Sequence, residues 1–283
     1  MLFPKYVIPF FVKCKKILVV HDLGFFLPNR IYPLRDIFYI RLMLKPSIKK
    51  ADHIITVSKH TKKDLVRIMG INEDDITVTY PAPNERYKEI IEEKLLNQIK
   101  QKYNLDNPFI FNPSACALRK NVVRLLKAFK RISDKTPHNL FITGGKPNRV
   151  KQIKKTVEQL NLQDRIKIQS CIPEEDMPAI YHLADLCVFP SLYEGFGFPI
   201  VEAMSCRCPV ITSNTSSMPE VAGNAAILVD PYNEKEISNA IYEILISPQL
   251  QRSLVDKGLK RARNFDWKKT AKETLDIIEM IGK

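Results

Sequence analysis

Glu194 and Glu202 stand eight residues apart, with Gly195, Gly197 and Pro199 between them. Carboxylates on either side of a glycine-bearing turn suit a polyhydroxylated, phosphorylated ligand. Glu202 follows Ile200 and Val201 and precedes Ala203 and Met204, so it falls in the first turn of an otherwise apolar helix begun near Pro199. Burying it without a partner would cost several kcal/mol, which a sugar diol donating two hydrogen bonds would offset. Glu194 lies beside backbone amides that Gly195 and Gly197 free for close approach, and helix-start amides favour a phosphate there. A helix-start glutamate stabilised by the dipole, with ordinary turn glycines, would leave the same letters.

Three further groups could do chemistry. Arg119 and Lys120 precede an amphipathic stretch at 121–132. Two cations at a helix start oppose the dipole by ~0.3–1 kcal/mol each, and a bound diphosphate would reverse that conflict. Gly144 and Gly145 form a turn between an apolar strand and the next helix. His21 closes the apolar run at 16–21, so it sits at the carboxyl end of a strand, where open α/β sheets bind ligands.

These residues need strands and helices to hold them. The short apolar run at 186–189 reads as a buried strand ending at Pro190, immediately before the acidic turn. Strands are also predicted at 16–21, 51–57, 76–79, 109–112, 139–143, 166–168 and 226–229. Helices are predicted at 35–50, from the Ser58 cap through 69, and at 89–103, 121–132, 234–246 and 248–263. Another helix opens after Ser170-Cys171-Ile172-Pro173, with Glu174, Glu175 and Asp176 suited to its start. Pro81-Ala82-Pro83-Asn84 breaks the pattern as a linker. Arg207 falls in a turn where a positive φ would strain it by ~1 kcal/mol or more.

The run from Glu194 to Glu202 resembles the E-x7-E motif of retaining nucleotide-sugar glycosyltransferases of family 4. Similarity extends to Ala184-Asp185, Pro190 through Gly197, Glu202-Ala203-Met204, Pro209-Val210, Ser213-Asn214 and Pro219-Glu220-Val221. The first part adds His21-Asp22, Ala51-Asp52, Ile55 through Ser58 and Tyr80-Pro81. The resemblance implies an α/β, GT-B-like fold of two Rossmann-like parallel-sheet domains, the first incomplete at its start. The expected domains are 1–83, 84–266 and a terminal helix at 267–283 returning to the first. It implies catalytic roles for Glu194 and His21. Donor contacts are implied for Arg119, Lys120, Gly144, Gly145, Ile172, Gly195, Phe196, Gly197, Phe198 and Glu202, although Ser114 replaces a glycine usual in the Arg119 loop. The reaction so implied moves a mannose- or glucose-type hexose from a UDP- or GDP-sugar to a glycan or lipid-linked acceptor with retention. No cofactor and no metal are expected, since no Asp-x-Asp pair occurs. The alternative is an inactive or split remnant that only binds nucleotide sugar.

Other classes fit less well. A dinucleotide oxidoreductase would need a third glycine where Pro199 and Ile200 stand, and no lysine setting for pyridoxal phosphate, as in a phosphorylase, can be identified. The net charge of +13 is concentrated in residues 1–67, which hold 14 Lys/Arg against 4 Asp/Glu. No zinc-finger spacing or aromatic RNA-binding pattern accompanies it, so nucleic acid is not the expected partner; an ordinary solvated face would carry the same charge, and of the two an anionic membrane surface is the expected reading. Six scattered cysteines read as buried thiols of a reducing compartment. No run approaches ~20 apolar residues. A cytoplasmic protein lying on the inner face of the cell membrane is expected.

Overall fold

The computed structural model describes residues 1–27, 32–88, 91–113 and 117–282; Ser114, Cys116 and the expected helix start at residue 89 lie outside them. The residues group into two units. Unit 1 comprises Met1–Ala82, Tyr193–Gly197 and Phe265–Lys283, and unit 2 comprises Pro83–Leu192 and Phe198–Asn264.

Unit 1 holds β1 (Leu2–Phe3), β2 (Ile17–Val20), β3 (His53–Thr56) and β4 (Ile76–Val78), paired in that order and all parallel. Parallel strands covered on both faces read as unbroken apolar runs, which is how Ile17–Val20 appears in the sequence. One face packs α1 (Leu34–Lys50) through Leu44 and Ile48 against Leu18, Val20 and Ile54. The other packs the terminal helix, α11 (Trp267–Gly282), through Ile277 onto Ile17 and Ile55. The helix expected from the Ser58 cap is α2 (Lys59–Asp64); the Ser58 hydroxyl accepts the Thr61 amide at 3.1 Å. The chain then widens into a π turn, Leu65–Met69, which Gly70 ends with φ of 68°.

Unit 2 starts with α3 (Glu93–Lys102) and β5 (Phe109–Asn112), then α4 (Val122–Lys130), β6 (Asn139–Thr143), α5 (Pro147–Gln159) and β7 (Ile166–Gln169). It continues with α6 (Met177–Leu183), β8 (Leu186–Phe189), α7 (Phe198–Ser205), β9 (Val210–Ser213), α8 (Met218–Ala222), β10 (Ile227–Val229), α9 (Glu234–Ile246) and α10 (Pro248–Ala262). Sequence reading missed β1, β9 and α8. The sheet order is β10-β9-β8-β5-β6-β7, all parallel. The first strand of the unit therefore sits mid-sheet beside the fourth, the doubly wound order whose direction of winding reverses between them. The architecture is α/β and GT-B-like, with Rossmann-like parallel sheets.

Asp176 takes the N-cap position of α6, at the helix start the three acids were expected to suit, but its side chain makes no cap bond. Its carboxylate accepts Lys102 Nζ at 2.7 Å and the Tyr103 hydroxyl at 2.5 Å, because two side-chain donors replace what the helix amides would have given. Arg207 has φ of 62°, the strained turn anticipated for it.

Arg165 ties the start of β7 to its surroundings. Its guanidinium donates to Asn139 Oδ1 at 3.1 Å and to the carbonyls of Ser133, Thr136 and His138 at 2.6–2.7 Å. Four acceptors fixed around one planar fork leave little that a lysine could reproduce. Arg165→Met is expected to cost about 3 kcal/mol in urea unfolding, and Arg165→Lys to recover less than half of that.

Candidate functional site

The sequence-predicted residues fall into two groups, one on each unit. On unit 1, β2 delivers His21 at its carboxyl end, and the Tyr193–Gly197 segment lies against the loop that follows. A β-carbon placed on Gly195 would lie 2.0 Å from the His21 carbonyl oxygen and 2.9 Å from Asp22 Cβ. Glycine is thus required here by the approach of two backbones. Thr61 adds a bridge, its hydroxyl lying 3.2 Å from the His21 carbonyl and 3.4 Å from that of Gly195. Gly197 has φ of 107°, conformational space that an L side chain rarely enters.

Tyr193 anchors the front of the same segment. Its hydroxyl donates to Asp64 Oδ2 at 2.8 Å and accepts the Leu23 amide at 3.2 Å. Asp64 also receives Arg67 at 2.6 Å and faces His60 Nε2 at 3.3 Å. Burial pushes the Asp64 carboxyl up, but the bonds from His60, Tyr193 and Arg67 outweigh it and hold the group below the usual aspartate range. Phe196 closes the back: its ring lies 5.4 Å from Phe265 and 6.4 Å from Tyr80. Glu194, held between these anchors, is only 8% exposed.

His21 itself is exposed. Its Nε2 lies 2.8 Å from the Pro4 carbonyl, to which that nitrogen donates. Asp22 holds the following turn, taking the Gly24 amide at 2.9 Å and the Tyr6 and Tyr32 hydroxyls at 3.3–3.4 Å. Burial first, and then the Asp22 charge, drive the Tyr6 phenol far above its ordinary range. Asp64 and Thr61 were not singled out from sequence, and Tyr193 and Asp22 were named only within matched runs, with no role assigned. Only the His-Asp pair gave a local signal.

On unit 2 the candidates gather at the carboxyl ends of β5 and β8, the strands where the winding reverses. Arg119 and Lys120 sit in a short 3-10 turn before α4, separated from it by Asn121 with φ of 61°. Lys120 is 9% exposed, with Nζ 4.3 Å from the centre of the Phe189 ring. Asn121 donates to the Pro190 and Pro231 carbonyls at 3.1 and 2.7 Å, fixing the turn to the strand ends. Asn112 Oδ1 and Ser191 Oγ are buried there with no hydrogen-bond partner among the described residues. Unsatisfied buried polar atoms are rare and call for a reason; one at the end of β5 and one just beyond β8, at a winding reversal, fit a bound polar ligand.

Glu202 stands in the second turn of α7, not the first, because the helix begins at Phe198. One oxygen already has a protein partner: Tyr181 donates to Oε2 at 2.8 Å. Burial raises the carboxyl to about 7, opposed by the Tyr181 bond and the charge of Lys120 and reinforced by Glu174. The same burial, with the charge of Glu202, lifts the Cys206 thiol to about 12. Cys187 and Cys208 are likewise buried, whereas Cys14 and Cys171 are exposed, so the expectation of buried thiols holds for only part of the set.

Gly144 is not a positive-φ turn residue. A β-carbon on it would lie 2.7 Å from Ser170 Cα, so it permits the ends of β6 and β7 to close up. Gly145 follows it, Ile172 is half-buried, and Phe198 is exposed.

Two outcomes follow. Gly195→Ala is expected to lower stability by about 3 kcal/mol, read as a fall in the unfolding midpoint. A carboxyl whose folded pKa is raised opposes folding once the unfolded chain ionises. The Glu202 penalty is therefore absent below pH ~4.5, grows through the interval up to about 7 and is full above it. Glu202→Gln keeps an acceptor for Tyr181 and should raise stability by about 3 kcal/mol at pH 8 while changing it little at pH 4.

Comparison with known proteins yields consistent matches. Residues 94–261 match the family model described as Glycosyl transferases group 1, and residues 8–84 match that described as Glycosyltransferase Family 4. The chain is 30% identical over 264 residues to O-antigen chain mannosyltransferase B of Escherichia coli, covering 92% of this chain and 69% of that protein. It is 26% identical to the serotype-specific mannosyltransferase WbdA of Escherichia coli, again over 92% of this chain but only 33% of that protein. Among solved structures, the Anabaena protein Alr3699/HepE in complex with UDP-glucose superposes with a TM-score of 0.80 at 18% identity, covering 94% of this chain and 72% of that one.

Proposed function

The chain belongs to the glycosyl transferases group 1 family, and on that premise we propose that it transfers a mannose- or glucose-type hexose from a UDP- or GDP-sugar to a glycan or lipid-linked acceptor, with retained anomeric configuration and without a metal. In this reaction the bond from the sugar's anomeric carbon to the diphosphate oxygen breaks. The diphosphate leaves with the electron pair. The acceptor oxygen bonds to that carbon and loses its proton. The barrier is separation of charge, a positive sugar ring from a negative leaving group, so fixed charges aimed at each are the means of lowering it.

The observation that carries the reading is Glu202. A carboxylate raised to about 7 by burial costs the fold stability, and its free acceptor capacity suits the ribose diol of a nucleotide. Lys120, Arg119 and the amide-rich turn before α7 would stabilise the departing diphosphate, with Asn112 and Ser191 offering further polar contacts. Gly144, Gly145 and Ile172 would border the base. Glu194 would hold the hexose hydroxyls and face the positive ring, and His21 would contact the transferred sugar. The mannosyltransferase names of the relatives, and the UDP-glucose of the Anabaena complex, favour such a donor.

The test combines binding and turnover. Because the diol holds the ionised form of Glu202, affinity for UDP or GDP, measured by calorimetry, should rise from pH 5 and level off above 7. Glu202→Gln should lose that dependence. With radiolabelled UDP- and GDP-sugars and membrane lipid, Glu194→Ala should lower transfer at least ~100-fold while nucleotide affinity is kept. Binding without transfer by the unaltered protein would instead favour a nucleotide-sugar-binding remnant, and absence of binding would overturn both.

A further inference from the structure

Leu18 and Val20 of β2 are buried, while His21 at its carboxyl end is exposed. The outer torsion of a histidine is broad and two-fold, so an exposed imidazole turns over unless something holds it. The restraint here comes from residues 4–7. Leu2 and Phe3 pair with Ile17 and Leu18, and the Ile8 amide donates to Ser47 Oγ at 2.9 Å, so the stretch between is tied at both ends. Inside it the Val7 amide donates to the Lys5 carbonyl at 2.6 Å, a three-residue turn centred on Tyr6.

That stretch brings two groups to the histidine. The Pro4 carbonyl accepts His21 Nε2 at 2.8 Å. The Tyr6 ring meets the His21 ring edge-on, with centres 6.1 Å apart at 77°, and its hydroxyl donates to Asp22 Oδ2 at 3.3 Å. Tyr6 also packs on the core cluster that contains Leu18, Val20 and Leu44, and lies edge-on to Phe25 at 6.0 Å. It would have to leave that core to release the histidine.

The hydrogen bond made on one side of an imidazole decides which nitrogen carries the proton and how the ring is turned. We infer that Tyr6 is a positioning residue: with the Pro4 carbonyl it holds the His21 ring in one orientation, Nε2 donating, and through Asp22 it steadies the turn that follows. The inference rests on the reading of His21 as a contact of the transferred sugar, and names what aims it. Tyr6 acts through the histidine, and a reacting group held by packed neighbours loses much of its effect when they let it wander.

Two measurements on the full chain separate this inference from the reading beneath it. Long-range proton–nitrogen NMR without donor or acceptor reads the ring directly, with the His21 signals assigned by their loss in His21→Ala. At pH ~8, where an ordinary histidine is neutral, the unaltered protein should show one tautomer, protonated at Nε2. Tyr6→Leu, which keeps apolar bulk in the core, should show a mixture of both. Tyr6→Phe, which keeps the ring beside His21, should restore the single form. Ser47→Ala, which unties the Ile8 end of the stretch, should shift the His21 signals toward the mixture and serves where Tyr6→Leu fails a thermal melt. In transfer assays with radiolabelled donor, Tyr6→Leu should lower kcat about 10-fold with donor KM kept within about twofold, Tyr6→Phe should keep at least about half of kcat, and Tyr39→Phe on the exposed side of α1 should change nothing. A single tautomer retained in folded Tyr6→Leu and in Ser47→Ala, or a loss confined to KM, would overturn the inference. Transfer undiminished in His21→Ala, with the ring still released by Tyr6→Leu, would instead sink the role given to His21 and leave its restraint by Tyr6 established.

Discussion

Gly195 and the carbonyl of His21 approach so closely that no β-carbon fits between them, and the arrangement of unit 1 around its candidate residues follows from that contact. It brings a segment more than 170 positions downstream against the end of β2. Tyr193 on one side and Phe196 on the other convert the contact into a clamp, one through Asp64 and the Leu23 amide, the other through the Phe265 and Tyr80 rings. Glu194 is carried between these two anchors.

A different constraint governs unit 2. There the charge problem is local: a carboxylate on α7, a tyrosine hydroxyl, and a lysine held over an aromatic face. Burial works against the ionised glutamate, while Tyr181 and Lys120 work for it. The balance leaves the group near neutrality in its titration, so a small gain in hydrogen bonding from a ligand is enough to fix its charge. Asn112 Oδ1 and Ser191 Oγ, at the neighbouring strand ends, have no hydrogen-bond partner among the described residues. A protein that needed only a stable sheet would gain by replacing all of them with apolar residues.

Much of this was legible in the residues. Buried parallel strands announce themselves as short apolar runs, so β5, β6 and β8 appear at their observed bounds, and Ser58 marks a helix start. The strand Val210–Ser213 escaped because Pro209 precedes it and two of its four residues are polar. The two-residue β1 is too short to carry any periodicity. The bond between Asp64 and Tyr193 was invisible for a different reason: 129 positions separate the two, and no local pattern encodes such a pairing. Gly144 looked like a turn glycine but serves close strand-end packing, a distinction that depends on Ser170, far along the chain. Asp176 shows the limit of helix-start rules, since nearby side-chain donors can outbid backbone amides.

The membership of α11 in unit 1 has a consequence for how the molecule is made. Ile277 completes a cluster with Ile17 and Ile55, so one face of the first sheet stays uncovered until the last helix has been synthesised. Every residue of unit 2 is translated before that helix, and its local βα order lets it acquire structure while unit 1 waits. The strands of unit 1 are thus sealed only after unit 2 has been made, and until then the growing chain exposes an apolar sheet face of the kind that invites misassembly.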